Sequence, residues 1–304
     1  MRFRNYVFSA AVGLIFAVGG FAQTRTVTVS TEPSAKVWLD DVLRGTTDNG
    51  GKLTIAPITA GAHKLRVRAD GFKEAAQTLP AAQRGDVKIA LVETTDQAEL
   101  TFQEAGNLAG SDREKAIAAY RKAVALRPKY AEANLGLARV LSADSDSEGA
   151  LKAVAAARRA RPGYAEASAV EGRIYVADGD ETKAIAAFKR ALAEGRGIQP
   201  EANTGLGLLY KEKAENFGGG GDYEAETTNY ALAVQHFKKA IEQLAGAPDA
   251  VTLYQFLGLA YEQTKKYDEA IAVYEEFLKL FPDSSESESV RSFIVQLRKK
   301  MSEK

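Results

Sequence analysis

Between residues 24 and 94 apolar and polar positions alternate in short runs. Val27 and Val29 alternate with Thr26, Thr28 and Ser30. Leu65 and Val67 alternate with Lys64, Arg66 and Arg68, and Val87, Ile89 and Leu91 with Lys88 and Ala90. A period of two places one side of a strand in a core and the other in water. Turn residues separate the runs: Asp48-Asn49-Gly50-Gly51, Ala60-Gly61-Ala62 and Ala69-Asp70-Gly71. Short strands at this spacing predict a small antiparallel β-sandwich. Near residue 95 the pattern changes. Alanine rises, and apolar residues recur three and four apart, the period of a helix.

The helical part also carries a longer repeat. Arg127-Pro128-Lys129-Tyr130-Ala131-Glu132-Ala133 returns 34 residues later as Arg161-Pro162-Gly163-Tyr164-Ala165-Glu166-Ala167, and Pro248 and Pro282 are also 34 apart. Tyr254, Leu257, Gly258, Tyr261, Ala270, Tyr274 and Pro282 fall at the spacing of the tetratricopeptide pattern, and this part of the chain resembles that family. Earlier units carry subsets: Ala116, Tyr120, Ala123 and Pro128; Ala138, Ala150, Ala157 and Pro162; Gly172, Tyr175, Ala184, Phe188 and Ala191; Gly207, Tyr210, Phe237 and Ala240. Small residues let the two helices of a hairpin approach, and the aromatic ones fill the space between them. The register predicts an all-α solenoid over residues 96–301. Its hairpins lie near 97–130, 131–164, 165–199, 200–249 and 250–283, with a capping helix over 284–301. Ser111 and Glu114 have the spacing of a capping box. An insertion of about fourteen residues around Phe217 and Gly218 to Gly221 breaks the repeat period. Four glycines predict a mobile loop there, read either as a tolerated surface insertion or as a partner contact through Phe217, Tyr223 and Tyr230.

The β-part, residues 23–95, resembles the PEGA domain, a small β-sandwich of bacterial surface proteins. The residues that carry the likeness are Glu32-Pro33-Ser34-Ala35-Lys36-Val37-Trp38-Leu39-Asp40-Asp41, Gly45-Thr46-Thr47, Gly61-Ala62-His63 and Ala69-Asp70-Gly71-Phe72. The glycine of the family's naming motif is missing, and Asp41 stands where the family's strand ends in Asp-Gly. The resemblance implies an extracytoplasmic accessory module.

Ahead of it, Arg2 and Arg4 precede an uncharged apolar run from Tyr6 to Phe21, and Gly20-Phe21-Ala22 supplies small residues. This reads as a secretory signal over residues 1–22, with a mature N-terminus near Gln23. A retained anchor helix is the alternative, and the run falls short of the ~20 residues that span a bilayer. The expected location is periplasmic or cell-surface, with no stable membrane insertion once the signal is removed.

Lysine plus arginine and aspartate plus glutamate number 40 each, so no net field draws the chain to nucleic acid. The absence of cysteine excludes disulfides, thiolate metal sites and a cysteine nucleophile. His63 and His236 are the two histidines, far apart in sequence, and no metal site or cofactor is expected. His63 reads as a packing or hydrogen-bonding residue, His236 as solvent-exposed. Gly218 to Gly221 lacks the following Lys-Ser or Lys-Thr of a phosphate loop, and Gly205-Leu206-Gly207 lacks the third glycine and preceding strand of a dinucleotide fingerprint. The acidic runs at 144–148 and 178–181 fit helix caps better than calcium loops.

With no nucleophile–base pair in view, the chain reads as a non-catalytic scaffold. It takes a protein or peptide partner along the concave groove lined by the first helices of the hairpins. Arg139 and Arg173 share one position in successive repeats and could grip a carboxylate or an acidic peptide. The alternative is that they solvate an exposed face or pair with Glu132 and Glu166. Lys211, Gln255 and Glu262 are assigned to groove-facing positions of later repeats. The alternative function is an accessory or carbohydrate-binding subunit of an envelope complex, acting through the β-domain.

Overall fold

The computed structural model describes residues 25–244 and 246–303. The signal-segment reading over 1–22, and the start near Gln23, lie outside these residues.

Seven strands come first: β1 (Arg25–Ser30), β2 (Lys36–Leu39), β3 (Val42–Thr46), β4 (Lys52–Ile58), β5 (His63–Arg68), β6 (Ala75–Leu79) and β7 (Gly85–Lys88). They form two sheets, ordered β4-β1-β7 and β3-β2-β5-β6. Val27 and Val29 of the first sheet and Val37, Leu39, Leu65 and Val67 of the second bury one apolar core between them. All pairings are antiparallel except β1 with β7, which run parallel. The expected antiparallel sandwich is found, with this one parallel pair at its edge. A long return, through the whole second sheet, brings β7 back beside β1, and only a tight hairpin would force the antiparallel sense.

The β2–β3 hairpin turns on Asp40 and Asp41, both in the left-handed region at φ 51° and 63°. Two positive φ values suit the twist of a two-residue hairpin. Asp40 is held there by the neighbouring strand β5: its carboxylate accepts from the Lys64 amide at 2.8 Å and from His63 Nδ1 at 2.5 Å. An aspartate pair therefore makes this turn.

The rest is helical: α1 (Gln97–Leu108), α2 (Arg113–Leu126), α3 (Ala131–Ala143), α4 (Ser147–Ala160), α5 (Ala165–Ala177), α6 (Glu181–Glu194), α7 (Pro200–Gly219), α8 (Tyr223–Leu244), α9 (Val251–Gln263), α10 (Tyr267–Leu280) and α11 (Ser287–Ser302). Successive helices pack as antiparallel hairpins, and each hairpin contacts the next. The glycines sit where rings press in. A Cβ at Gly258 would fall within the Tyr274 ring, and Gly207 meets Phe237 in the same way. Asp146 and Asp180 cap α4 and α6, accepting from the amides of Gly149 and Lys183. The cap of α2 is Asp112, which accepts from the Lys115 amide, rather than the expected Ser111 box. Asp112 is one residue nearer the first turn, so its carboxylate reaches the free amides.

The glycine insertion is also not a loop of its own. Helix α7 continues to Gly219, α8 begins at Tyr223, and Asp222 accepts from the Ala225 amide. Only Gly221 of the four glycines has positive φ, 83°. The insertion lengthens both helices of one hairpin, because helical hydrogen bonds are kept across Gly218 and Gly219.

Candidate functional site

The sandwich lies against the inner side of the helical array, and a cleft of about 1230 Å³ opens between them. One wall is the outward face of β3-β2-β5-β6. With Val37, Leu39, Leu65 and Val67 turned into the core, strand alternation sends Trp38 and Arg66 the other way. These two are cross-strand neighbours, and Ala76 follows on β6. The guanidiniums of Arg66 and Arg68 lie over the Trp38 ring, 4.9 and 5.4 Å from its centre. Arg66 pairs with Asp41 at 3.3 Å and with Glu74 at 3.5 Å, and Arg68 also pairs with Glu74.

The other wall is built by the first helices of successive hairpins. Arg139 on α3 donates to Glu201 at 2.7 Å and to Glu166 at 3.1 Å. Arg173 on α5 reaches the same Glu201 at 3.5 Å. Arg161 pairs with Glu132. Burial works against the Arg139 charge, yet the carboxylates of Glu201 and Glu166 outweigh it and raise its pKa. Burial also opposes the Glu201 charge, and Arg139 with Arg173 more than compensates, so its pKa is lowered. Arg173 is the weaker partner. Desolvation exceeds the pull of Glu201, and Arg139 adds repulsion, so its pKa falls.

The two arginines expected to stand one repeat apart thus do meet, but on the chain's own Glu201. Of the expected partners Glu166 does pair with Arg139, while Glu132 pairs with Arg161; Glu201 was not among those expected. Glu132, Glu166 and Glu201 each occupy the second residue of a first helix, and this recurrence is the signal that would have found it. Lys211, Gln255 and Glu262 do not line the cleft. Lys211 pairs with Glu215 at 2.6 Å, Glu262 accepts from the Tyr274 hydroxyl at 3.0 Å, and Gln255 is half-buried. Thr204, Leu208 and Glu212 of α7, and Thr252 and Phe256 of α9, take the lining positions. A shift of one residue turns a side chain about 100° around a helix, enough to move it off the groove.

The charged groups of the walls are largely paired with one another, while apolar side chains remain uncovered. Leu43 is 41% exposed, Val176 40%, Ile198 51% and Leu208 39%, and all four line the cleft. His236, expected in solvent, is half-buried, stacks on Tyr210 and shares a 3.0 Å hydrogen bond with Asn203. Burial, then Lys239 and Lys189, lower its pKa. His63 is held between Asp40 and the Thr59 carbonyl at 3.0 Å. Among the described residues no group of three or more histidines and carboxylates is arranged to hold a metal, and no helix is long and apolar enough to cross a membrane.

Comparisons with known proteins agree with the helical geometry. Family models described as tetratricopeptide repeat match residues 107–174 and 220–285. No curated protein matches the sequence. Among solved structures, the chain is similar to the Cut9-Hcn1 hetero-tetramer of the APC/C, at 18% identity and TM-score 0.51, over 66% of this chain and 36% of that one. It is similar to a thermophilic tetratricopeptide-repeat protein of Thermus thermophilus, at 18% identity and TM-score 0.47, over 66% and 98%. It is also similar to MamA, at 22% identity and TM-score 0.44, over 62% and 94%. Likeness at such identity speaks to the fold alone. Tetratricopeptide repeats are protein- and peptide-binding modules. The family matches, the 34-residue period and the paired helices together make the helical part of this chain a tetratricopeptide-repeat solenoid.

Proposed function

We propose that the chain is a non-catalytic scaffold of the bacterial cell envelope, which takes a segment of a protein partner into the cleft between its repeat groove and its PEGA-like β-domain. The observation that carries the reading is the state of the cleft walls. Their arginines and glutamates neutralise one another, whereas Leu43, Val176, Ile198 and Leu208 are left in water. Covering apolar surface contributes about 25 cal/mol per Å². A segment with apolar side chains therefore gains more here than an acidic peptide, which would have to displace Glu201 from Arg139. The envelope part of the reading rests on the basic and apolar start of the sequence and on the PEGA-like residues. The carbohydrate reading has less support, because two guanidiniums lie over the Trp38 ring where a sugar would stack.

The test is site-specific photo-crosslinking in envelope extract. A benzophenone side chain at Leu208 is expected to trap a discrete adduct that the same group at exposed Lys122 of α2 does not. Val176→Asp should abolish the adduct while leaving the circular dichroism unchanged. Equal crosslinking at both positions would refute the cleft as the site.

A further inference from the structure

The β-domain is fastened to the solenoid at two separate places. At the near end, the side-chain amide of buried Gln103 on α1 accepts from the Gly71 amide and donates to the Phe72 carbonyl, both at 2.8 Å. Asn107 donates to Asp70 at 2.6 Å, and the Arg68 guanidinium lies 4.6 Å from the centre of the Phe102 ring. These groups lie within about forty residues of each other in sequence, so the chain connection itself helps to hold this contact.

The far end is different. Val42 of β3 is buried in the apolar cluster built by α8 to α11, rather than in the sandwich core. Arg44 donates to the Leu244 carbonyl, 200 residues away, and to the Pro57 carbonyl at 3.2 Å. The turn after α8 comes close to β4 here. A Cβ on Gly246 would lie 3.5 Å from the Ala56 carbonyl oxygen. Between the two fastenings the walls do not pack, and the cleft remains.

We infer that the β-domain is a clasp across the repeat groove, anchored on α1 and released at the Val42–Arg44 contact with the α8–α9 turn, so that opening this far end admits the partner. The importance of the clasp rests on the groove being the partner site, but the clasp itself is a property of the chain alone. One feature makes the far end the releasable one. It lies at the greatest sequence distance from its partner, so no short connection restores it. Because Val42 belongs to the solenoid cluster, replacing it leaves the sandwich core of Val27, Val37, Leu65 and Val67 intact. Domains joined within one chain move about the connection between them, and contacts remote from it open locally.

The absence of native cysteine allows clean spin labelling. Labels at Ala60→Cys and Glu269→Cys report the far end, and labels at Asn49→Cys and Glu104→Cys report the near end; all four positions are exposed. Pulsed electron-spin distances on the otherwise unaltered full chain should give a single narrow far-end distribution. Val42→Asp should lengthen and broaden it while the near-end distance stays narrow. Arg44→Ala, which leaves every apolar core residue in place, should shift the same distribution in the same direction to a smaller extent. A far-end distance unchanged in both variants would overturn the clasp, as would near-end and far-end distances that broaden together. Partner crosslinking does not enter this measurement, so failure of the scaffold reading would leave its outcome unaffected.

Discussion

Glu201 is the residue on which the concave wall turns. It holds Arg139 and Arg173, is itself mostly buried, and has its pKa lowered below the ordinary 4.5. A carboxylate with a depressed folded-state pKa contributes stability that is present above the unfolded value and is lost as pH falls through the folded one. Glu201→Gln should therefore cost about 1–3 kcal/mol at pH 7, less than for a fully buried pair because all three side chains keep some solvent. The gap between variant and parent should close as the pH is taken below 4.5. Thermal melts across that range check both points, and a gap independent of pH would contradict the pairing. Gly258 tests packing. Its helix would gain from alanine, by about 1 kcal/mol. The added methyl meets the Tyr274 ring, and overpacking costs about 1–3 kcal/mol. Gly258→Ala should lower the urea midpoint without changing the slope, and a raised midpoint would show that the ring yields.

At the scale of elements, the long α7–α8 hairpin separates two kinds of glycine. Gly219 has ordinary helical φ and open space around its missing Cβ. Gly221 also has open space but a φ of 83°. Gly219→Ala should stabilise the chain by about 0.5 kcal/mol, through helix propensity and reduced freedom of the unfolded chain. Gly221→Ala should destabilise it by about 1 kcal/mol, through the left-handed backbone alone. Denaturant midpoints of the two variants should move in opposite directions, and movement in the same direction would mean that the turn is not the one described. The exposed Phe217 and Tyr223 then stand near the tip of a helical projection rather than on a slack loop.

For the whole molecule, the export proposal predicts a mature chain that begins near Gln23. Mass spectrometry of protein purified from the envelope fraction reads this directly, and an intact Met1 in a cytoplasmic fraction would oppose it. The clasp belongs to the same scale, since it joins β3 and β4 to the α8–α9 turn across most of the sequence. Both domains contribute walls to the cleft, so its affinity for any segment belongs to their relative placement and not to either domain by itself.

The sequence by itself determined where strands give way to helices and the register of the helical hairpins. Period-two alternation marked strands, and a 34-residue recurrence of Arg-Pro, Tyr-Ala-Glu-Ala and small residues marked helical hairpins. Those signals are local or strictly periodic, and burial of one face enforces them wherever they occur. The arginines of the groove were legible for the same reason, because Arg139 and Arg173 repeat with the period. Their partner was not, since a pairing between α3 and α7 depends on superhelical curvature, which brings Glu201 within 2.7 Å of Arg139 from 62 residues away. The lining by Leu208 and Phe256 in place of Lys211 and Gln255 was lost in the same way, through a rotation of one residue about a helix axis. The parallel β1–β7 edge and the contact of Val42 and Arg44 with the far repeats carry no period at all. They arise from packing one folded surface against another, and only the tertiary structure could decide them.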